Sequence, residues 1–302
     1  MEVVITDMDY EDMYYEGKSR KILVLGSGGQ VGAYLTDYLN RMGNEVLEFD
    51  ITNGSDQDMT MIPNGELEAK IYMADFVYFL AFDVGGSRYL KKYQHTFNFI
   101  DNNTRLMANA FGLIEKYKKP FVFASSQMSN MSYSPYGVLK RVGELYTKSL
   151  GGLIVKFWNV YGIEKDMNKA HVITDFIRKG FETGVIDMMT DGTEAREFLY
   201  AEDCCEALET VMEKYHELTS DDELHITTGV YTTVLEIAEE IKSLFAGIGK
   251  TITVTPAQSK DEVQKDARNE PDLYINEFWQ YKTSVPEGLK KVFEEMKKDY
   301  DS

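Results

Sequence analysis

Cysteine is nearly absent from this 302-residue chain, and the two present, Cys204 and Cys205, are adjacent within a helical pattern. That placement supports neither a disulfide framework nor a zinc site, so no metal is expected and a reduced, cytoplasmic setting is. Cations are scarce as well: 32 Lys and Arg face 50 Asp and Glu, for a formal net charge of −18. Such a balance disfavours nucleic acid and anionic membrane surfaces as partners. It also means that an anionic ligand must be caught by a few locally placed cations or helix N-termini. No run approaches the ~18 apolar residues of a membrane-spanning helix. Internal repeats, low-complexity tracts and a clear linker are missing too. The first twenty residues, MEVVITDMDYEDMYYEGKSR, lack a basic start and an apolar stretch, so no signal peptide is expected. They read as an acidic, disordered extension, with a contact at a subunit surface as the alternative.

Glycine is where it matters. Residues 21–50, KILVLGSGGQVGAYLTDYLNRMGNEVLEFD, read as strand, glycine turn, helix and second strand. Gly26, Gly29 and Gly32 are spaced so that the backbone can turn and approach a pyrophosphate, whose charge the following helix N-terminus stabilises. Asp50 closes the second strand, where its carboxylate can accept from both hydroxyls of an adenosine ribose. No Lys or Arg follows it before Lys70, so a 2′-phosphate would meet an acid without a local cation; NAD is expected rather than NADP. The expected cofactor contacts are Gly26, Gly29, Gln30, Val31, Gly32, Asp50, Ile51, Leu80, Ala81, Phe82, Asn103, Tyr136 and Lys140.

Apolar strand patterns at 75–82, 120–126 and 152–158 alternate with helical periodicity at about 92–118 and 135–150. The alternation predicts an α/β fold: a Rossmann-type, doubly wound parallel sheet. Beyond Asn159 the pattern is less regular, with helices near 173–184, 201–215, 234–245 and 286–296 and short strands at 225–229 and 251–255. The second half is therefore expected to interleave with the first as a smaller α/β substrate-binding part. The boundaries are 1–20 for the extension, 21–162 with 198–228 for the NAD-binding domain, and 163–197 with 229–302 for the other.

Tyr136 and Lys140 lie four residues apart, one turn above each other on a helix face. Tyr-x-x-x-Lys occurs three times in the chain, so spacing alone decides nothing. Only the middle pair follows an apolar strand ending in Ser125 and Ser126, on the side where open parallel sheets bind ligands. Hydride removal from a secondary alcohol needs a base for the hydroxyl proton. A tyrosine of ordinary pKa ~10 would need to fall by ~3 units to work near pH 7, with Lys140 and a cationic nicotinamide as the sources. Ser126 would hydrogen-bond the reacting oxygen.

With LGSGGQVG and SPYGVLK in place, the chain resembles an extended short-chain dehydrogenase/reductase of the NAD-dependent nucleotide-sugar epimerase/dehydratase family. WNVYG, DGTEAREFLYAED and HITTGVYTTVLEIAEEI are similar to further family elements in the same order. The resemblance implies a nucleotide-sugar substrate, with Ser126 at the sugar, Asn159 and Arg196 at its diphosphate and Arg268 as a second phosphate contact. Guanidinium suits that task, since its planar fork donates two parallel bonds. It also implies a homodimer formed by the helix near 92 and the helix carrying Tyr136, with Phe97, Ile100, Leu106, Val142 and Leu145 serving core or interface. The family's 4,6-dehydratases carry Asp-Glu where this chain has Gln127 and Met128, and its 3,5-epimerising members carry Cys at Met128, so both chemistries are disfavoured. DVGG and His171-Val-Ile are similar to the branch handling GDP-sugars, in which His171 would be an acid/base residue. Hydride transfer at C4, as a 4-epimerase or 4-dehydrogenase, is the expected activity. A 4-keto reductase or a non-catalytic NAD-binding regulatory protein are the alternatives.

Overall fold

The computed structural model describes residues 19–264 and 270–301; most of the expected acidic extension and Arg268 lie outside the described residues. In chain order β1 (Lys21–Leu25), α1 (Gln30–Arg41), β2 (Glu45–Phe49), α2 (Gly65–Met73), β3 (Phe76–Phe79), α3 (Ser87–Tyr93), α4 (Phe97–Tyr117), β4 (Phe121–Ser126), α5 (Pro135–Leu150) and β5 (Leu153–Phe157) alternate strand with helix. They are followed by β6 (Asn159–Tyr161), α6 (Val172–Thr183), β7 (Val185–Asp187), β8 (Ala195–Tyr200), α7 (Ala201–Glu213), β9 (Leu224–Ile226), β10 (Tyr231–Thr233), α8 (Val234–Gly247), β11 (Thr253–Thr255) and α9 (Val285–Asp301).

Six strands pair in parallel in the order β2-β1-β3-β4-β5-β9. Their near-continuous apolar sequences follow from having helices on both faces, because each face of such a sheet must be dry. Successive residues of β1 go to opposite layers: Ile22 and Val24 pack with Leu35, Leu39 and Leu208, and Leu23 and Leu25 pack with Phe79, Phe111 and Phe123. A third cluster joins α6, α8 and α9 through Phe176, Ile177, Ile241, Phe245 and Phe293. The chain leaves β1 for β2 on one side and returns to β3 on the other, so the crevice at their C-terminal ends is the switch point where this architecture binds ligands.

The helix expected over about 92–118 is two helices. Thr96 interrupts it: its hydroxyl donates to Tyr93 O at 2.7 Å and accepts from Phe99 N at 3.3 Å, capping α4. β3 is also shorter than expected, because Leu80 N and Ala81 N both donate to Leu25 O, at 2.9 and 2.8 Å, and bend the chain out of the sheet toward the crevice. The 225–229 strand reduces to the end of β9, and α9 runs on to Asp301. By contrast α5 has the expected bounds. Ser134 caps Gly137 N, Pro135 occupies the first turn, and Gly151 ends the helix with φ of 71°.

Candidate active site

A cavity of about 580 Å³ opens at the switch point, lined by Gly26, Gly29, Gln30, Val31, Gly32, Asp50, Ile51, Leu80, Ala81, Phe82, Ser126, Tyr136, Lys140 and His171 among others. Its floor is backbone. Gly26 has φ of +91°, and a Cβ there would stand 2.6 Å from Ala81 N. A Cβ on Gly32 would stand 2.0 Å from Gly26 O, so α1 can press against the turn only without a side chain. Gly29 caps α1 with no side-chain hydrogen bond and no acid follows in the first turn. The free N–H groups and the positive end of the helix therefore face the cavity, as a diphosphate requires. Gly28, not singled out by the spacing, has the same need for smallness: its Cβ would lie 2.8 Å from the Asp50 carboxylate.

Asp50 accepts at Oδ1 from Thr52 N and Thr52 Oγ1, at 2.9 and 2.7 Å. Oδ2 keeps no protein partner among the described residues and is free to accept from a ribose. Lys70 is engaged elsewhere, donating to Glu48 O at 2.7 Å and pairing with Glu66 at 3.0 Å. Asn103 departs from expectation. It does not line the cavity, because it is fully buried and its amide is spent on Asp83 N, Asp83 O and Phe99 O. It holds the 83–86 loop in place, and Asn102 lines the cavity instead.

Two glycines bring α5 against β4 and thereby set the chemistry. A Cβ at Gly137 would stand 2.1 Å from Met128 O, and one at Gly143 would stand 2.2 Å from the Phe123 ring. With the helix that close, Tyr136 shares a hydrogen bond with Ser126 at the end of β4, and Lys140 Nζ donates to Ala124 O at 2.6 Å. Lys140 Nζ also lies 3.9 Å from the centre of the Phe82 ring. Behind them the buried Glu144 accepts from Ser125 Oγ and from Arg141, both at 2.6 Å. The sequence offered no separate signal for Glu144, whose only mark is its place one turn after Lys140.

Burial decides the protonation of this group. It pushes the Tyr136 phenol up to about 12, against the Ser126 hydrogen bond, and it pushes Lys140 down to about 7, against the Glu144 charge. Of the two expected sources of a lowered Tyr136 pKa, Lys140 does not act in the protein by itself, where each group's charged form is disfavoured. At neutral pH Tyr136 is a phenol hydrogen-bonded to Ser126. Bound NAD supplies both the hydride acceptor and, when oxidised, a positive ring.

A second cavity of about 150 Å³ adjoins the first and is lined by Asn159, Arg196, His171 and, among others, Arg88, Lys91 and Lys260. Arg196 is not an open cation: it is paired with Asp261. Asn159 Nδ2 donates to Glu197 O at 3.3 Å. His171 borders both cavities and precedes α6, with Nδ1 2.7 Å from Glu164 Oε1. Neither Gln127 nor Met128, both buried beside Ser126, offers an ionisable group.

A glycine-cradled diphosphate site, a ribose-ready acid and a Ser-Tyr-Lys cluster at the C-terminal ends of the parallel strands agree with a match of residues 22–226 to the NAD dependent epimerase/dehydratase family. The chain belongs to that family. NAD is accordingly its cofactor. The chain is 27% identical over 172 residues to a GDP-L-fucose synthase of Sinorhizobium fredii, a match covering 53% of each protein, so it spans about half the length of that relative. It is 23% identical over 314 residues to a UDP-glucuronic acid decarboxylase 1 of Danio rerio, covering 92% of this chain and 73% of the other. In fold it is similar to the UDP-glucose 4-epimerase of Thermotoga maritima solved with UDP-glucose, with a TM-score of 0.75 and 22% identity, covering 92% of this chain and 99% of that one.

Proposed function

We propose that this chain transfers hydride between NAD and C4 of a nucleotide-activated sugar, as a 4-epimerase or 4-dehydrogenase, with GDP-sugars among the substrates to be tried first. The observation carrying this reading is that Ser126, Tyr136 and Lys140 line the larger cavity, which shares Val160 and His171 with the smaller one holding Asn159 and Arg196. A sugar spanning the two cavities would present a ring carbon to the cofactor and its diphosphate to Arg196. Tyr136 would exchange the O4 proton, Ser126 would hold O4, and residues 163–197 with 229–302 would carry the nucleotide. Gln127 and Met128 supply no acid/base pair for elimination, which favours simple redox at C4 over dehydration. Asp50 favours NAD and so weighs against an NADP-type keto reductase.

Phe97, Ile100, Val142 and Leu145 are exposed on α4 and α5, and Leu106 is core. We assign the four to a homodimer face, which sedimentation at micromolar concentration tests. No described helix is long and apolar enough to cross a membrane. The function itself is tested by NMR of products after incubation with UDP-, dTDP- and GDP-sugars, alongside mass spectrometry of nucleotide released on denaturation. Conversion of one of them with NAD present is the expected result. Failure to convert or bind any of them would overturn the assignment and leave the non-catalytic NAD-binding reading.

A further inference from the structure

Trp158 and Trp279 are the only tryptophans in the chain, and they are held in opposite ways. Trp279 is packed in the core with its indole N–H unpartnered among the described residues. Trp158 is partly buried, lines the larger cavity, and donates its indole N–H to Nδ1 of His225 at 3.2 Å. The Asp272 backbone N–H donates to the same nitrogen at 3.3 Å. With two donors aimed at it, Nδ1 must carry a lone pair, so the ring proton is on Nε2, which donates to Glu223 Oε2 at 3.1 Å. Glu223 is fixed in turn by Lys156, the cross-strand neighbour of His225, at 3.3 Å.

The chain places Trp158 between the two ends of a sugar nucleotide that spans the cavities. Phe157, just before it, is the register partner of Ser126, and Asn159, just after it, lines the smaller cavity. An indole there offers an apolar face between the group assigned to O4 and the groups assigned to the diphosphate, where the C–H face of a pyranose would lie. We propose that Trp158 is the wall against which the sugar ring packs, a specificity-determining residue, and that His225 is the positioning residue that fixes its indole. The proposal rests on the nucleotide-sugar reading above. A partly buried indole beside an open cavity has other rotamers available to it, and a hydrogen bond at its edge removes them before the sugar arrives. His225 does this only as a neutral ring, because an imidazolium carries a proton on both nitrogens and accepts from neither neighbour. Burial, with the Lys156 charge, keeps His225 below the ordinary histidine value against the pull of Glu223 and Asp272, so the ring is neutral at pH 7.

Trp279→Phe leaves Trp158 as the sole tryptophan and its fluorescence as the report. Without substrate, His225→Leu removes the acceptor and should shift Trp158 emission and raise its quenching by acrylamide. His225→Asn, whose Oδ1 can replace Nδ1, should restore both, with thermal melts verifying folding. Emission and quenching unmoved by His225→Leu overturn the positioning role. Calorimetry and Trp158 emission then compare UDP with UDP-glucose, dTDP with dTDP-glucose and GDP with GDP-mannose on the NAD-loaded protein, with Tyr136→Phe included to slow turnover. In the pair that binds, the nucleotide sugar should change Trp158 emission and the bare nucleoside diphosphate should not. His225→Leu should weaken the nucleotide sugar by about 3- to 10-fold and leave the diphosphate unchanged; equal loss for both overturns the sugar wall. In Trp158→Phe, which has no N–H to hold, His225→Leu should cause no further loss. A loss that persists there assigns His225 to the Asp272 segment and overturns its action through Trp158. Emission that responds to NAD alone and not to the sugar makes Trp158 a nicotinamide contact and overturns the proposal. If no nucleotide sugar binds any form, the functional reading fails and takes the sugar wall with it, while the substrate-free result still decides whether His225 fixes Trp158.

Discussion

At the glycine turn of the larger cavity the groups that would meet a cofactor's diphosphate and ribose are main-chain N–H groups, glycines and one half-satisfied acid; in the smaller cavity they are basic side chains already held by acids. Arg196 is paired with Asp261, Lys91 with Glu262 at 2.6 Å, Lys260 with Asp191 at 2.5 Å, and Lys179 with Asp187 at 2.8 Å. The difference follows from charge. A chain carrying −18 overall can build a pyrophosphate site from helix dipole and close backbone approach without any cation, and such a site is ready before the ligand comes. A cation-based site in the same chain acquires acidic partners of its own, and an incoming diphosphate must exchange with them. These pairs are not equal. Lys91 and Glu262 are mostly exposed, at 57% and 68%, and an exposed pair contributes about 0–1 kcal/mol. Arg196 and Asp261 are at 15% and 11%, so Asp261 is the partner that a diphosphate must displace. Its own loop is tied down, with Asp261 Oδ1 accepting from Val263 N at 2.9 Å and Tyr133 OH donating to Gln264 O at 2.8 Å.

The sharpest break is Tyr136→Phe in the larger cavity. It removes one oxygen and preserves the ring, and kcat should fall by a factor on the order of 10² to 10⁴ while nucleotide-sugar affinity stays put. Full turnover in this variant would end the catalytic assignment. Next comes Gly32→Ala, which forces a methyl against Gly26 O. Thermal melts should register about 1–3 kcal/mol of destabilisation and calorimetry a loss of NAD binding; unchanged NAD affinity would show that the cradle is not preorganised as described. In the other cavity Arg196→Ala should raise KM by about 10-fold or more with a smaller effect on kcat, since charge-assisted bonds contribute about 1.5–3 kcal/mol and a diphosphate is held alike in ground and transition states. Asp50→Ala should weaken NAD by roughly 10-fold and narrow the gap to NADP, as measured by calorimetry with both. Smallest, and opposite in sign, is Asp261→Asn. With its acidic competitor gone, Arg196 should bind UDP or GDP about 2- to 5-fold more tightly, and weaker binding would show that Asp261 serves to orient Arg196 and not to compete for it.

Local chemistry accounts for what could be read in advance. The α1 turn, the bounds of α5 between Ser134-Pro135 and Gly151, and the burial of β3 and β4 all express preferences of a few adjacent residues: caps, φ restrictions and a continuous apolar pattern. The break at Thr96 was written in the same language, as a capping threonine inside a long helical pattern, and periodicity masked it. Asn103 shows where local reading stops, because an asparagine on a helix gives no sign of whether its amide will meet a ligand or a loop 20 residues upstream.

From its sequence alone this protein was determined to be a parallel α/β chain with an NAD-type turn, an acid to receive the ribose, and a Ser126, Tyr136 and Lys140 set at the end of one strand. Those features depend on spacing along two local units, the β1-turn-α1-β2 segment and the β4-turn-α5 segment. Only the tertiary structure decided that Asp261 would sit on Arg196, that Glu164 would grip His171 at the junction of two cavities, and that burial would drive Tyr136 up and Lys140 down. Each of those outcomes depends on which groups are brought within a few ångströms and how much water is left between them, and neither distance nor dielectric is encoded in the order of residues.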